Sequence, residues 1–292
     1  MQHEVSVIIP TFNRSALLQD ALKSVLGQTF QDFEVIVVDN SSKDNTGEVV
    51  RSFHDPRIKL FEIDNEGVIA RSRNYGLKEA KGEFIAFLDD DDMWLPEKLE
   101  AQLNYLKEHP EYSAVYSNTW IVADNDSKRR LYLKPEGFRK GDIFSDLLKE
   151  NIIPQLTLLI RREVFERVGL LNEDPSLRCV EDYEYMLRVA MVFKVGFIEA
   201  PLTIYRLHPG GAGSKQNFAK LKQRALLSVM DSPWSRDKEK IMKRVYELYL
   251  NSAYYNLKFH NFGEAARDLV KYLRYVLGRY RSGGELRKPS GI

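Results

Sequence analysis

Apolar residues in the first ninety or so positions follow two rhythms. Short, nearly continuous runs occur at residues 5–10, 33–38, 58–63 and 83–88, each bounded by polar or turn-forming residues. That pattern predicts buried strands. Between the first two runs, Ala16, Leu17, Ala21, Leu22, Val25 and Leu26 recur at helical spacing. Residues 68–80 read as a second helix, stopped by Gly82. The turn-rich segment 40–47 is suited to capping a helix after it. Strands alternating with helices predict an α/β fold with a mostly parallel, mixed sheet flanked by helices. Each strand should end in polar residues along one common edge.

The pattern is less regular beyond residue 93. Helices are predicted at 96–109, with Pro96 at the start and Pro110 just past the end, at 162–168, closed by Gly169, and at 181–193, opening with acids. Strands are predicted at 114–122, 156–161 and 196–205, with a charged hairpin tip at 124–130 and a mobile glycine-rich loop at 206–211. From about residue 216 strand signals vanish. Three helices are expected at 216–231, 236–259 and 263–280, with Asn261-Phe262-Gly263 breaking the last two. The predicted domains are therefore 1–215, with a regular half (1–92) and a less regular half (93–215), and an all-helical C-terminal extension, 216–292.

Composition narrows the classes. The chain has 292 residues, 43% hydrophobic and 29% charged, which suits a globular protein. A net charge of +1 gives no global attraction to nucleic acid. One cysteine, Cys179, excludes an internal disulfide framework and fits a reducing compartment. The N-terminus shows no basic segment ahead of its apolar run, and no apolar stretch approaches the ~20 residues of a spanning helix. The expected location is cytoplasmic. Residues 271–292 add Lys271, Arg274, Arg279, Arg281, Arg287 and Lys288 against one acid, Glu285, interleaved with tyrosines and aliphatics. That leaves two readings for 263–292: peripheral contact with an anionic membrane at its inner face, or packing on the catalytic domain. The helical tail also offers a surface for a homodimer.

Most of the chemistry gathers at the fourth run, where Phe84 to Leu88 ends in Asp89, Asp90, Asp91 and Asp92. In open α/β sheets ligands bind beyond the carboxyl ends of the strands. Four carboxylates there need a cation among them, and Mg²⁺ is characteristically held by one or two carboxylates plus substrate phosphates. A solvated acidic turn is the simpler alternative for the run taken alone.

Several stretches, in order, resemble family 2 glycosyltransferases of the GT-A fold, from Val5 to about Ser214. They are Val-Ser-Val-Ile-Ile-Pro-Thr-Phe-Asn-Arg (5–14), Val-Ile-Val-Val-Asp-Asn-Ser-Ser-Lys-Asp-Asn-Thr (35–46), Arg73-Asn74-Tyr75-Gly76, the Asp-x-Asp within Asp89 to Asp92, Glu181-Asp182, and Tyr205-Arg206-Leu207-His208. The chain departs from the pattern twice. Asn40 stands where a second acid is usual, and the segment from Gly67 to Asn74 is one residue longer.

The resemblance implies roles. Asp39 would accept the ring N–H of uracil or a similar base, although a turn cap explains its position equally. Pro10, Thr11, Asn13 and Arg14 would contact the nucleotide. Arg71 or Arg73, left interchangeable by the extra residue, would pair with the diphosphate, which a guanidinium matches bidentately. Asp91 would hold Mn²⁺ or Mg²⁺, with His208 as a further ligand or phosphate contact. Asp89 and Asp90 would support the nucleotide-sugar. Asp182 would be the catalytic base and Glu181 its substitute, although both also suit a helix N-terminus.

The implied activity is inverting transfer of one sugar from a nucleotide-sugar, UDP-linked first and dTDP-linked second. The acceptor hydroxyl would belong to a saccharide, a lipid-linked glycan or a protein, in surface polysaccharide or glycoconjugate synthesis. Two rivals are a non-catalytic nucleotide-sugar-binding or scaffold protein on the same fold, and a sugar nucleotidyltransferase. The latter would want a glycine-rich loop after the first strand, where Pro10-Thr11-Phe12-Asn13 has no glycine.

Overall fold

The computed structural model describes residues 3–123, 129–208 and 217–281; the hairpin tip proper, most of the glycine-rich loop and the end of the basic tail lie outside the described residues. Four strands, β1 (Val5–Thr11), β2 (Phe33–Asp39), β3 (Ile58–Glu62) and β4 (Phe84–Phe87), run parallel in the order β3-β2-β1-β4. Their helices are α1 (Ser15–Leu26), α2 (Thr46–Ser52) and α3 (Ile69–Glu79).

The second half extends the same sheet. It contributes β5 (Met93–Trp94), α4 (Lys98–Glu108), β6 (Ala114–Ala123), β7 (Arg130–Leu131), α5 (Phe144–Lys149), β8 (Leu158–Arg161), α6 (Arg162–Val168), α7 (Glu181–Val192) and β9 (Val195–Leu207). β8 pairs antiparallel with both β4 and β6, β7 antiparallel with β6, and β5 antiparallel with β9, while β6 and β9 run parallel. The α/β expectation holds, with most of the parallel pairing among β1 to β4.

Apolar side chains cover both faces, giving three layers. Val5, Val7 and Ile9 of β1 pack with α1, α2 and α4, whereas Ile8 faces α3 and the later helices. This period-two division explains why the run reads as continuously apolar. α3 lies close because Gly76 has no Cβ: one placed there would sit 2.5 Å from Ile8 Cγ2.

The C-terminal helices are α8 (Phe218–Met230), α9 (Lys238–Lys258) and α10 (Phe262–Arg281). Ala225, Leu226, Val229, Ile241, Met242 and Val245 bury into the same cluster as α5 and α7. Arg244 donates to the carbonyls of Leu148 (2.9 Å) and Lys149 (2.7 Å) at the end of α5. α8 and α9 therefore complete the core rather than forming a separate one. Among the described residues no helix is long and apolar enough to cross a membrane.

Candidate active site

The strand order determines where a ligand can enter. After β1 the chain builds outward through β2 and β3, then returns to place β4 on the other side of β1. The crevice between the carboxyl ends of β1 and β4 is a topological switch point, the usual ligand position in such sheets. Thr11 ends β1 and the aspartate run follows β4, so the two flank this crevice. Asp39 is level with Thr11 in the β1–β2 register.

The four aspartates divide by parity. Asp89 and Asp91 keep side chains 31% and 18% exposed, while that of Asp90 is 7% exposed and Asp92 is buried. Asp90 accepts from Thr11 Oγ1 (2.8 Å), the Phe12 amide (3.4 Å) and Arg14 Nη1 (3.1 Å). Burial raises its pKa to about 6 against the opposing pull of Arg14. It cross-links β1 to the end of β4, in the wall of the crevice. Asp92 Oδ1 accepts from the Arg206 amide (2.9 Å), and burial pushes the carboxyl well above the usual range. Asp91 Oδ2 receives Arg14 Nη1 at 2.7 Å and lies 2.9 Å from His208 Nε2.

Arg73 joins this run to the distant acidic pair. Its Nη2 donates to Asp89 Oδ1 and its Nη1 to Glu181 Oε1, each at 2.7 Å, and the guanidinium is buried. The two carboxylates and nearby Asp182 more than offset its desolvation and raise its pKa further. Arg71 points the other way, to Glu66 (2.6 Å) and Glu173 (3.7 Å) at the surface. Residues two apart on a helix lie on opposite sides, so only one of the two arginines could face the acids. Asn74 completes the motif: its side chain exchanges hydrogen bonds with backbone Leu171 (both 2.9 Å) and donates to Glu173 (2.8 Å).

The acidic pair divides as well. Glu181 is buried and tied to Arg73, while Asp182 is half-buried. Asp182 Oδ1 accepts from the Tyr183 amide at 2.7 Å, at the start of α7. Crowding by protein, then the charge of Glu181, raises its pKa to about 7 despite Arg73. Glu181 Oε2, Arg73 Nε and Asp92 Oδ2 are buried without hydrogen-bond partners among the described residues. Such a concentration of orphaned polar atoms calls for an explanation.

At the end of β2, Asp39 Oδ1 accepts from the amide and hydroxyl of Ser42 (3.1 and 2.5 Å), as a turn cap would. Asn40 Oδ1 receives the Asn65 amide at 2.7 Å, tying the end of β2 to the loop before α3. Asn13 takes positive φ (52°), and its amide and side chain bond Ser42 Oγ and the Lys43 amide. Pro10 and Thr11 are buried beneath this turn.

Three residues were given no role by the sequence reading. Phe12 stands 51% exposed between Thr11 and Asn13; an aromatic in an otherwise polar turn was the available signal. Arg206 donates to the Asp91 carbonyl, to Asp20 (3.0 Å) and to Leu17 (3.4 Å), clamping β9 to the run and to α1. Tyr132, from the segment after β7, has a hydroxyl raised to about 12 by burial and neighbouring acids, Asp182 among them. Nothing in its local sequence marks it.

A metal ion fits one corner. Asp91 and His208 converge one oxygen and one nitrogen donor at the crevice. No group of three or more acidic, histidine or cysteine side chains surrounds a metal position among the described residues. That partial shell suits an ion completed by phosphate oxygens and water. Arg14 contacts the same Asp91 oxygen and would have to share it.

The family model described as "Glycosyl transferase family 2" matches residues 6–169. Glycosyltransferases of Rickettsia felis and Rickettsia typhi are 32% and 33% identical over 217 and 207 residues, covering 73% and 70% of this chain. The chain spans 35% and 64% of their respective lengths. Staphylococcus aureus TarS 1–349, solved with UDP-GlcNAc, superposes with a TM-score of 0.68 at 18% identity, over 97% of this chain and 93% of that one. Mannosyltransferase PcManGT of Pyrobaculum calidifontis, solved with GDP-Man and Mn²⁺, gives 0.64 at 19% identity, over 98% and 77%.

Proposed function

The chain belongs to glycosyl transferase family 2 and has the GT-A fold, and from that premise we propose that it moves a single sugar from a nucleotide-sugar to an acceptor hydroxyl with inversion. The observation that carries this reading is the Arg73 bridge. One buried guanidinium holds Asp89 of the Asp-x-Asp and Glu181 of the acidic pair, separated by 92 residues in sequence, at 2.7 Å each. The carboxylate floor and the carboxyl beside Glu181 thus share one crevice.

Asp182 is the base in this reading. It is the accessible member of its pair, and a pKa of about 7 suits proton removal near neutral pH. The acceptor oxygen attacks the anomeric carbon from the face opposite the diphosphate. Its proton passes to the Asp182 carboxylate, and the C–O bond to the diphosphate breaks, the electron pair leaving with the nucleoside diphosphate. Glu181 serves to hold Arg73 rather than to replace Asp182.

A divalent cation held by Asp91 and His208, Mn²⁺ or Mg²⁺, would neutralise charge on the leaving diphosphate. Arg14 presents a second positive group at the same oxygen. Phe12 offers a ring face for the base, and Asp39 an acceptor for its N–H. Arg71, turned to Glu66, has no part in this site. A UDP-sugar is our donor, the class present in the TarS complex. The acceptor we assign is a hydroxyl of a surface polysaccharide or glycoconjugate. The reaction belongs on the cytoplasmic side, consistent with the lone Cys179.

The test is a panel of UDP-, dTDP- and GDP-sugars with Mn²⁺, read by calorimetry and by nucleotide release. Metal-dependent binding and slow release from one UDP-sugar are expected, with release lost in Asp91→Ala. No binding of any donor would overturn the reading.

A further inference from the structure

α10 is amphipathic, and only part of its apolar arc is covered. Ala265, Asp268, Tyr272 and Tyr275 turn toward α9. Asp268 is buried, accepting from Ser252 Oγ (2.7 Å) and Asn256 Nδ2 (3.1 Å), and Tyr275 stacks on Tyr246 at 3.9 Å. The flank bordering that face carries Leu269, Val270, Leu273, Val276 and Leu277, 39–63% exposed. Their spacing of three and four residues makes one continuous stripe. Tyr254 and Leu257 of α9, Phe259 of the connecting turn and Phe262 at the start of α10 are at least half exposed too. A contiguous apolar surface of this kind marks an interaction site.

The charges beside the stripe select the occupant. Arg267, Lys271 and Arg274 follow a line of their own at i, i+4 and i+7, and all three are exposed. Lys258 adds a fourth exposed cation at the end of α9. The acids of α10 answer only one of them among the described residues: Asp268 is buried, and Glu264 is engaged with Lys220 (3.4 Å) and Arg267. A second copy docked through this face would bring like charges together. An anionic lipid surface complements them, accepting the leucines and aromatics below its headgroups and the cations among them.

We propose that the α9–α10 hairpin seats the enzyme on an anionic bilayer through the Leu269–Leu277 stripe and the Arg267, Lys271, Arg274 line. The protein would then lie on the membrane surface without crossing it. This inference does not depend on the roles given to the aspartates.

The experiment is co-sedimentation of the full chain with sucrose-loaded phosphatidylcholine vesicles, with and without roughly one third phosphatidylglycerol, the anionic component whose surface potential attracts basic segments. Binding should be at least about tenfold stronger on the anionic vesicles and weaken with salt. The pair Leu273→Glu and Leu277→Glu should abolish it. The pair Lys271→Ala and Arg274→Ala should weaken it about 25-fold, at roughly fivefold for each cation. All four positions are exposed, so melting and lipid-free donor turnover should match the parent, which separates this test from that of the catalytic reading. Equal binding to neutral and anionic vesicles, or none, overturns the proposal. So does a solution dimer that Leu273→Glu with Leu277→Glu dissolves, which would assign the face to a second copy.

Discussion

The crevice between β1 and β4 and the outer face of α10 depart from ordinary burial in opposite directions. At the crevice, Arg73, Asp90, Asp92 and Glu181 are carried inside at the cost of desolvation, Arg73 paired with Glu181, Asp90 with Thr11 and Arg14, and Asp92 with the Arg206 amide. On α10, aliphatic side chains remain outside although the helix has an inward face, which it gives to Asp268 and two tyrosines. Neither choice is explained by the stability of the isolated chain. Buried charge is seldom a net gain over apolar packing, and an exposed leucine stripe forgoes burial altogether. We therefore assign each region a ligand: a small charged one at the crevice and an extended amphiphilic one at the hairpin.

Substitutions can break this comparison, beginning with the strongest. Arg73→Met strands Glu181 inside the protein and should destabilise it by about 3–5 kcal/mol, the range for removing one partner of a buried pair, measured by denaturant unfolding. Asp90→Ala removes acceptors from Thr11 and Arg14 and should cost about 1–3 kcal/mol, chiefly in melting. Asp91→Ala, one residue on but facing the crevice, should leave melting nearly unchanged. It should lower Mn²⁺-dependent donor affinity at least about tenfold, read by calorimetry. If Asp90→Ala and Asp91→Ala behave alike, the division into wall and floor fails. Leu273→Glu on the α10 stripe should shift stability by no more than about 0.5 kcal/mol, as for other exposed positions. A larger loss in lipid-free unfolding would show that the stripe packs against protein.

Much of this was legible in the sequence because the signals were local. The runs that became β1, β2 and β4 are apolar on both faces and could hardly be anything but central strands. Other features needed tertiary information. The two-residue β5 owes its existence to β9, and α5 is too short to carry a period. Which aspartates face the crevice depends on the turn after β4, which four identical residues cannot reveal. Arg71 against Arg73 was decidable from helical geometry, since positions two apart diverge. Glu181 against Asp182 was not, because the choice rests on where Arg73 arrives from α3. The interleaved tail announced an amphipathic helix, and only the Asp268 contacts with Ser252 and Asn256 show which side faces in.

The central claim is that Asp182 is the base at a donor site built around Asp91, and Asp182→Asn tests it most directly. Nucleotide-sugar affinity by calorimetry and transfer rate would be measured on the same preparation from pH 5 to 9. Wild-type transfer should rise with pH through about 7 as the raised Asp182 carboxyl ionises. The variant should bind donor like wild type and transfer about 10²–10⁴-fold more slowly. Its melting temperature should exceed the parent's at pH 8, because a carboxyl whose pKa is raised on folding destabilises the fold increasingly as pH climbs from its unfolded value through about 7. Transfer at the wild-type rate by Asp182→Asn would contradict the account.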